Sequence, residues 1–164
     1  MTEHIVSQIH KLLLKNNLTI AVAESCTGGL LSCLLTQASG SSRYFILGVV
    51  VYSNTSKNKM LGVPNKLLVE KGAVSKEVAV KLAESIRKMA KTDFGIGITG
   101  IAGPTGVRPN KPVGTVFISV ANHNKTICRK FSFTGNRTSV RKKAALKSLE
   151  LLATNEDIHC HRIT

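Results

Sequence analysis

"LTIAVAESCTGGLLSCLLTQA", residues 18–38, divides into three pieces of different character. Residues 18–24 are short, apolar and rich in β-branched side chains, the pattern of a buried strand ending near Glu24. Residues 25–29 place two hydroxyls, a thiol and two glycines in a row, which is turn chemistry. Leucines then recur at helical spacing until "SGSS", residues 39–42, closes the run. Strand, tight turn and helix in that order open an α/β unit.

The rest of the chain extends the pattern. Ile5, Val6, Ile9, Leu12 and Leu13 predict an amphipathic helix over 3–16. "RYFILGVVVYS" (43–53) predicts a second strand, and "SNTSKNKMLG" (53–62) a short helix capped by Ser53 or Asn54. "VPNKLLVEKG" (63–72) predicts another short helix closed by Gly72. Ser75 caps a longer helix reaching Lys91, with Val78, Ala79, Leu82, Ala83, Ile86 and Met89 on its inner face. "DFGIGIT" (93–99) is a third strand, followed by a Gly/Pro loop over 100–112. "VGTVFISVAN" and "KTICRKFSFT" pair across "HN" (123–124) as a hairpin, and a last helix covers about 136–153. Strands alternating with helices and ending in a hairpin predict a three-layer α/β/α sandwich with a mixed sheet. The expectation is one domain over 1–164, with its core at about 5–152 and a tail at 154–164.

Composition narrows the function classes. The chain carries 43% apolar residues over 164 positions, enough for one core, and no apolar run approaches the length of a membrane span. The N-terminus is too polar for a secretory signal, so a cytoplasmic location is expected. Cys26, Cys33, Cys128 and Cys160 have no paired short spacing, which argues against a zinc cluster or a disulfide framework. His159, Cys160 and His161 alternate near the end of the chain, but no further ligands accompany them. No metal and no cofactor are expected. Lys and Arg outnumber Asp and Glu by 23 to 9, and no acidic residue lies between Asp93 and Glu150. Such a field favours anionic partners, although a merely solubilising surface explains it as well. With two Tyr, five Phe and no Trp there is little to stack bases on, so nucleic acid is not the favoured partner.

Among short motifs, "GIGITG" (95–100) satisfies a dinucleotide-binding pattern. Its glycines fall inside a predicted strand, where they mark close backbone packing. "ESCTGG" has the better context, because free N–H groups at a helix start attract an anion. The anion is either a phosphate or the oxyanion left when a hydroxyl attacks a carbonyl, unless Ser25 or Thr27 merely caps the helix. No histidine falls at a strand end beside this turn, so a serine nucleophile would need another base. Lys57, close after the strand end "VVVYSN" and near Tyr52, is the candidate. Working near neutral pH requires its pKa to fall roughly three units, at a cost near 4 kcal/mol. In the last helix, Arg137 and Arg141 fall within the apolar arc that carries Val140, Ala144, Leu149 and Leu152. Two inward guanidiniums need an anion, either a phosphate or a carboxylate such as Glu24 or Glu84.

"AESCTGGLL", "GSSRYF", "GVVVYSNTSKNKMLGV", "GAVS", "GITGIAGPTG", "KPVGTV" and "GNRTSVR", in that order, resemble the CinA C-terminal family over about residues 5–152. The family includes amidases that convert nicotinamide mononucleotide to nicotinate mononucleotide and ammonia. The resemblance implies an α/β/α domain without a metal, a small nucleotide substrate, and a homo-oligomer, a dimer first. Ser25 matches the family's nucleophile, and Tyr52 and Lys57 match its nearby polar residues. Thr99, Gly100, Ala102 and Gly103 match its pocket loop. Glu24, Thr27, Gly28 and Gly29 complete the expected substrate-binding turn, and Arg137 and Arg141 the expected phosphate contacts. One stretch departs from the pattern. Where the family reads G-G-x-P-E-K-P, this chain has "GVRPNKP", so Val107 replaces a glycine, Arg108 adds charge and Asn110 replaces an acid.

Overall fold

A computed structural model describes residues 2–159. It contains a five-stranded sheet in the order β2-β1-β3-β4-β5. β1 (Ile20–Glu24) runs parallel to β2 (Phe45–Val50) and to β3 (Phe94–Gly100), while β4 (Thr115–Ala121) and β5 (Thr126–Ser132) add antiparallel. The sheet is mixed, as expected. Helices α1 (Thr2–Lys15), α2 (Leu30–Thr36) and α6 (Arg137–Ala153) cover one face; α3 (Asn54–Leu61), α4 (Asn65–Glu70) and α5 (Lys76–Ala90) cover the other.

The two central strands explain why the layers sit where they do. In β1, Ile20 and Val22 point to the α1/α2/α6 layer, and Ala21 and Ala23 to the α5 layer. In β3, Phe94, Ile96 and Ile98 join the first layer, leaving Gly95 and Gly97 to face α5. Alternate residues of a strand face opposite sides, so both strands present bulk to one layer and almost nothing to the other. A Cβ on Gly97 would come within 2.5 Å of the Ala83 nitrogen and one on Gly95 within 2.6 Å of Arg87 Cβ. The "GIGITG" glycines thus let α5 lie close on the sheet.

Local signals set the boundaries. The Ser53 and Ser75 side chains accept from Ser56 N–H and Val78 N–H, capping α3 and α5. Asn136 caps α6 in the same way. Asn122 Oδ1 accepts the N–H groups of Asn124 and Lys125, which fixes the β4–β5 turn. One inner-face assignment fails: Met89 is half exposed, because it lies on the last turn of α5, beyond the sheet contact made by Ile86.

Candidate functional site

A cleft of about 680 Å³ opens at the carboxyl ends of β1, β2 and β3. The connection from β1 runs through α2 on one face to β2, and the connection from β2 passes back over β1 through α3, α4 and α5 on the other face to β3. Crevices where connections diverge in this way are where open α/β sheets take ligands. Ser25 and Cys26 reach the cleft from the end of β1, Tyr52 from the end of β2, and Thr99–Gly103 from the end of β3. Lys57 enters from α3 and Arg137 from the start of α6.

Lys57 is the unusual group. It is only 1% exposed, the largest charged side chain in the buried set. Its Nζ donates to the carbonyl oxygens of Val51 (2.8 Å) and Tyr52 (3.0 Å), the two residues that follow β2. Burial pushes its pKa down to about 8, with the neighbouring Cys26 thiol opposing the fall. Two carbonyls occupy two of the tetrahedral positions on nitrogen. The one left holds a proton in the ammonium and a lone pair in the amine, so deprotonation turns this side chain into an oriented base without breaking a hydrogen bond.

Ser25 is 8% exposed and its carbonyl accepts Gly28 N–H, closing the turn. Its hydroxyl and the Lys57 amine are not hydrogen-bonded to each other; contacts of this kind commonly tighten only with substrate bound. The adjacent Cys26 thiol is a poor rival. Burial first, and the Glu24 carboxylate to a lesser degree, push its pKa up to about 12, against its own N–H, Lys57 and Arg141. A thiol in that state is almost wholly protonated near neutrality. Tyr52 is exposed at the rim, and its hydroxyl accepts from Arg137 Nη2 at 2.7 Å. Arg137 Nη1 donates to the Gly103 carbonyl at 2.8 Å, which ties α6 to the loop after β3.

The anion expected at the start of α2 is present, and it belongs to the protein. Glu24 is fully buried, and its carboxylate accepts from Gly29 N–H (3.1 Å), Leu31 N–H (3.1 Å), Ser32 N–H (2.8 Å) and Ser32 Oγ (2.6 Å). Neither Ser25 nor Thr27 caps α2; Glu24 reaches forward over the turn and does so. With Gly28 N–H given to Ser25 and Gly29 N–H to Glu24, those two amides have nothing left for a ligand. Thr27 is fully buried, and its carbonyl accepts both Arg141 Nε (3.2 Å) and Nη2 (2.9 Å). Gly28, at φ 61°, lets that guanidinium pass: a Cβ there would sit 2.9 Å from Arg141 Nη2.

The sequence-derived residues therefore separate into two groups. Ser25, Tyr52, Lys57, Thr99, Gly100, Ala102, Gly103 and Arg137 line one cleft. Glu24, Thr27, Gly28, Gly29 and Arg141 do not line it, and bind each other behind its wall. Among the described residues neither arginine pairs with a carboxylate; each takes a backbone carbonyl, and Glu84 accepts from Thr126 instead. Thr99 spends its hydroxyl on the Ala73 carbonyl, holding the α4–α5 connection against the end of β3. Cleft residues missed in the sequence include Asn54, Lys71, Thr105 and Lys111, which lie on loops and helix ends without a periodic signal. No cluster of three or more His, Cys, Asp or Glu able to hold a metal occurs among the described residues; Cys160 and His161 lie outside them. No described helix is long and apolar enough to cross a membrane.

The model of the CinA C-terminal domain matches residues 2–155. This chain belongs to that family. A protein of Thermoanaerobacter pseudethanolicus is 48% identical over 150 residues, covering 92% of this chain and 36% of the relative. A CinA-like protein of Syntrophus aciditrophicus is 46% identical over 151 residues, with the same shares. The chain thus spans about a third of the length of these curated relatives. Among solved structures, the competence/damage inducible protein CihA of Agrobacterium tumefaciens superposes with a TM-score of 0.90 at 34% identity, covering 93% of both chains. The competence damage-inducible protein A of Klebsiella pneumoniae superposes with a TM-score of 0.90 at 28% identity, covering 93% of this chain and 94% of that one. The five-stranded α/β fold is therefore the family's fold.

Proposed function

We propose that this CinA-family chain is an amidohydrolase that converts nicotinamide mononucleotide to nicotinate mononucleotide and ammonia. The observation that carries the reading is Lys57: a buried amine with a pKa near 8, held by two carbonyls, in one cleft with a nearly buried serine. Ser25 Oγ attacks the amide carbon while Lys57 Nζ takes its proton. The resulting ammonium returns that proton to the departing nitrogen, so ammonia leaves and an acyl-serine remains. Water, deprotonated by the same amine, then releases the acid and regenerates Ser25. Tyr52, whose hydroxyl accepts from Arg137 and whose carbonyl accepts from Lys57, assists the attack, and Arg137 offers positive charge to the substrate's phosphate.

The oxyanion needs N–H donors facing the cleft. Gly28 and Gly29 are spent, which leaves as donors beside the cleft Cys26 N–H and the loop after β3. There Ala102 and Gly103 line the cleft, and neither N–H has a hydrogen-bond partner among the described residues. The test is ammonia release from nicotinamide mononucleotide by the purified protein, with glutamine and asparagine as control amides. No release at substrate concentrations up to the millimolar range sinks the amidase reading. Salt-dependent nucleic-acid binding in its place would make the chain a basic binding module.

A further inference from the structure

The cleft carries more positive charge than the proposed chemistry uses. Lys57, Lys71, Arg108, Lys111 and Arg137 line it against a single carboxylate, Glu70, and Glu70 is paired with Lys66 on its own helix. Lys57 and Arg137 already have roles in the site. The other three do not.

Arg108 and Lys111 are held together by the backbone. Each accepts the other's N–H, at 3.2 and 3.0 Å, around a two-residue turn of Pro109 and Asn110. Asn110 lies at φ 61°, which with proline before it is the type II turn pattern. In such a bridge the two flanking residues stand directly opposite and project to the same side, where like charges repel. No carboxylate offsets them: neither forms an ion pair among the described residues, and asparagine occupies the turn between them. Lys111 Nζ donates instead to the Lys71 carbonyl at 3.0 Å, which draws a third cationic residue to the same edge. A tight turn that forces two cations together beside an open cleft is arranged for an anion that neutralises both.

We propose that Arg108, Lys111 and Lys71 form a phosphoryl-binding subsite at the rim, additional to Arg137, that selects nucleotide over nucleoside amides. Anion binding there stands on the charge geometry alone; the selectivity rests on the amidase reading. Two measurements separate them. Affinity for inorganic pyrophosphate, read by isothermal titration calorimetry, needs no turnover. In Arg108→Ala and Lys111→Ala it is expected to fall about tenfold, and further in Arg108→Glu. The ratio of kcat/KM for nicotinamide mononucleotide over its riboside is expected to fall by a similar factor. Arg108 is exposed on a surface loop, so its variants decide the matter even if Lys111→Ala unfolds. Pyrophosphate affinity that is undetectable in the wild type, or within twofold of it in Arg108→Glu, overturns the subsite. Pyrophosphate binding that depends on Arg108, in a protein that releases no ammonia, keeps the subsite and removes the amidase reading.

Discussion

Replacing Lys57 with methionine separates the cost of burying this amine from its use. The fall in pKa from 10.5 to about 8 is a differential of about 3 kcal/mol against the charged form in the folded state. The sign follows from proton counts. Below pH 8 both folded and unfolded chains carry the proton, and the folded state bears the full penalty. Between pH 8 and 10.5 the folded chain releases the proton while the unfolded chain keeps it, so this residue's contribution to stability rises with pH across that window. Methionine removes the penalty but leaves the Val51 and Tyr52 carbonyls without a donor, at about 1–3 kcal/mol each. The gain offsets much of that cost, so Lys57→Met should still fold at pH 7, losing no more than about 3 kcal/mol. Turnover should not survive so well. Loss of a general base lowers kcat by about 10²–10⁴-fold, with KM little changed, because the base acts in the transition state. In the wild type, kcat/KM should rise tenfold per pH unit and level off above about pH 8, as the amine form fills. Ammonia release measured from pH 6 to 9.5, beside urea unfolding of both proteins, checks every part. A flat pH profile, or a methionine variant retaining more than a tenth of the wild-type kcat, refutes Lys57 as base.

Other expected outcomes follow from the same contacts. Ser25→Ala should lose at least a hundredfold in kcat, of the order seen for other catalytic groups, with an unchanged circular dichroism spectrum; a residual rate above a tenth would remove Ser25 as nucleophile. Arg141→Ala should cost about 1–3 kcal/mol of stability by releasing the Thr27 carbonyl, read by urea unfolding. It should leave the preference for nucleotide over riboside intact, whereas Arg137→Ala lowers that preference; the reverse pattern would put Arg141 in the phosphate site. Glu24→Gln removes a charge from four donors and puts amide hydrogens among them, so it should destabilise by about 3 kcal/mol. Full stability with lost substrate affinity would place Glu24 on the ligand instead.

The strands and helices were legible because each followed from a local pattern. Ser53, Ser75 and the apolar spacing of 78–86 signal helices whatever the rest of the chain does. The glycines of "GIGITG", read as marks of close backbone packing, are where α5 approaches the sheet. The candidate site was legible only up to the strand ends, because neighbourhood in sequence is a poor guide to which side of a turn a group faces. "ESCTGG" was read as a place for a phosphate or an oxyanion beside a helix start; the carboxylate of the motif itself, Glu24, lies there fully buried, with four donors satisfying it. Leaving that carboxylate unpaired at the end of a central strand would cost several kcal/mol. The fold uses the amides of the turn to hold its own charge before it can offer any to a ligand. The contact that Arg141 makes in the structure had no signal in the sequence for a related reason. Helical phase fixes the direction of a guanidinium, whereas its partner here is a backbone carbonyl 114 positions away in the chain, exposed to it by Gly28 having no side chain. Only three-dimensional proximity shows that partner. Once these groups are committed to structure, the cleft retains Ser25, Lys57, Tyr52 and the cations at its rim, and it is on those residues that substrate chemistry has to rest.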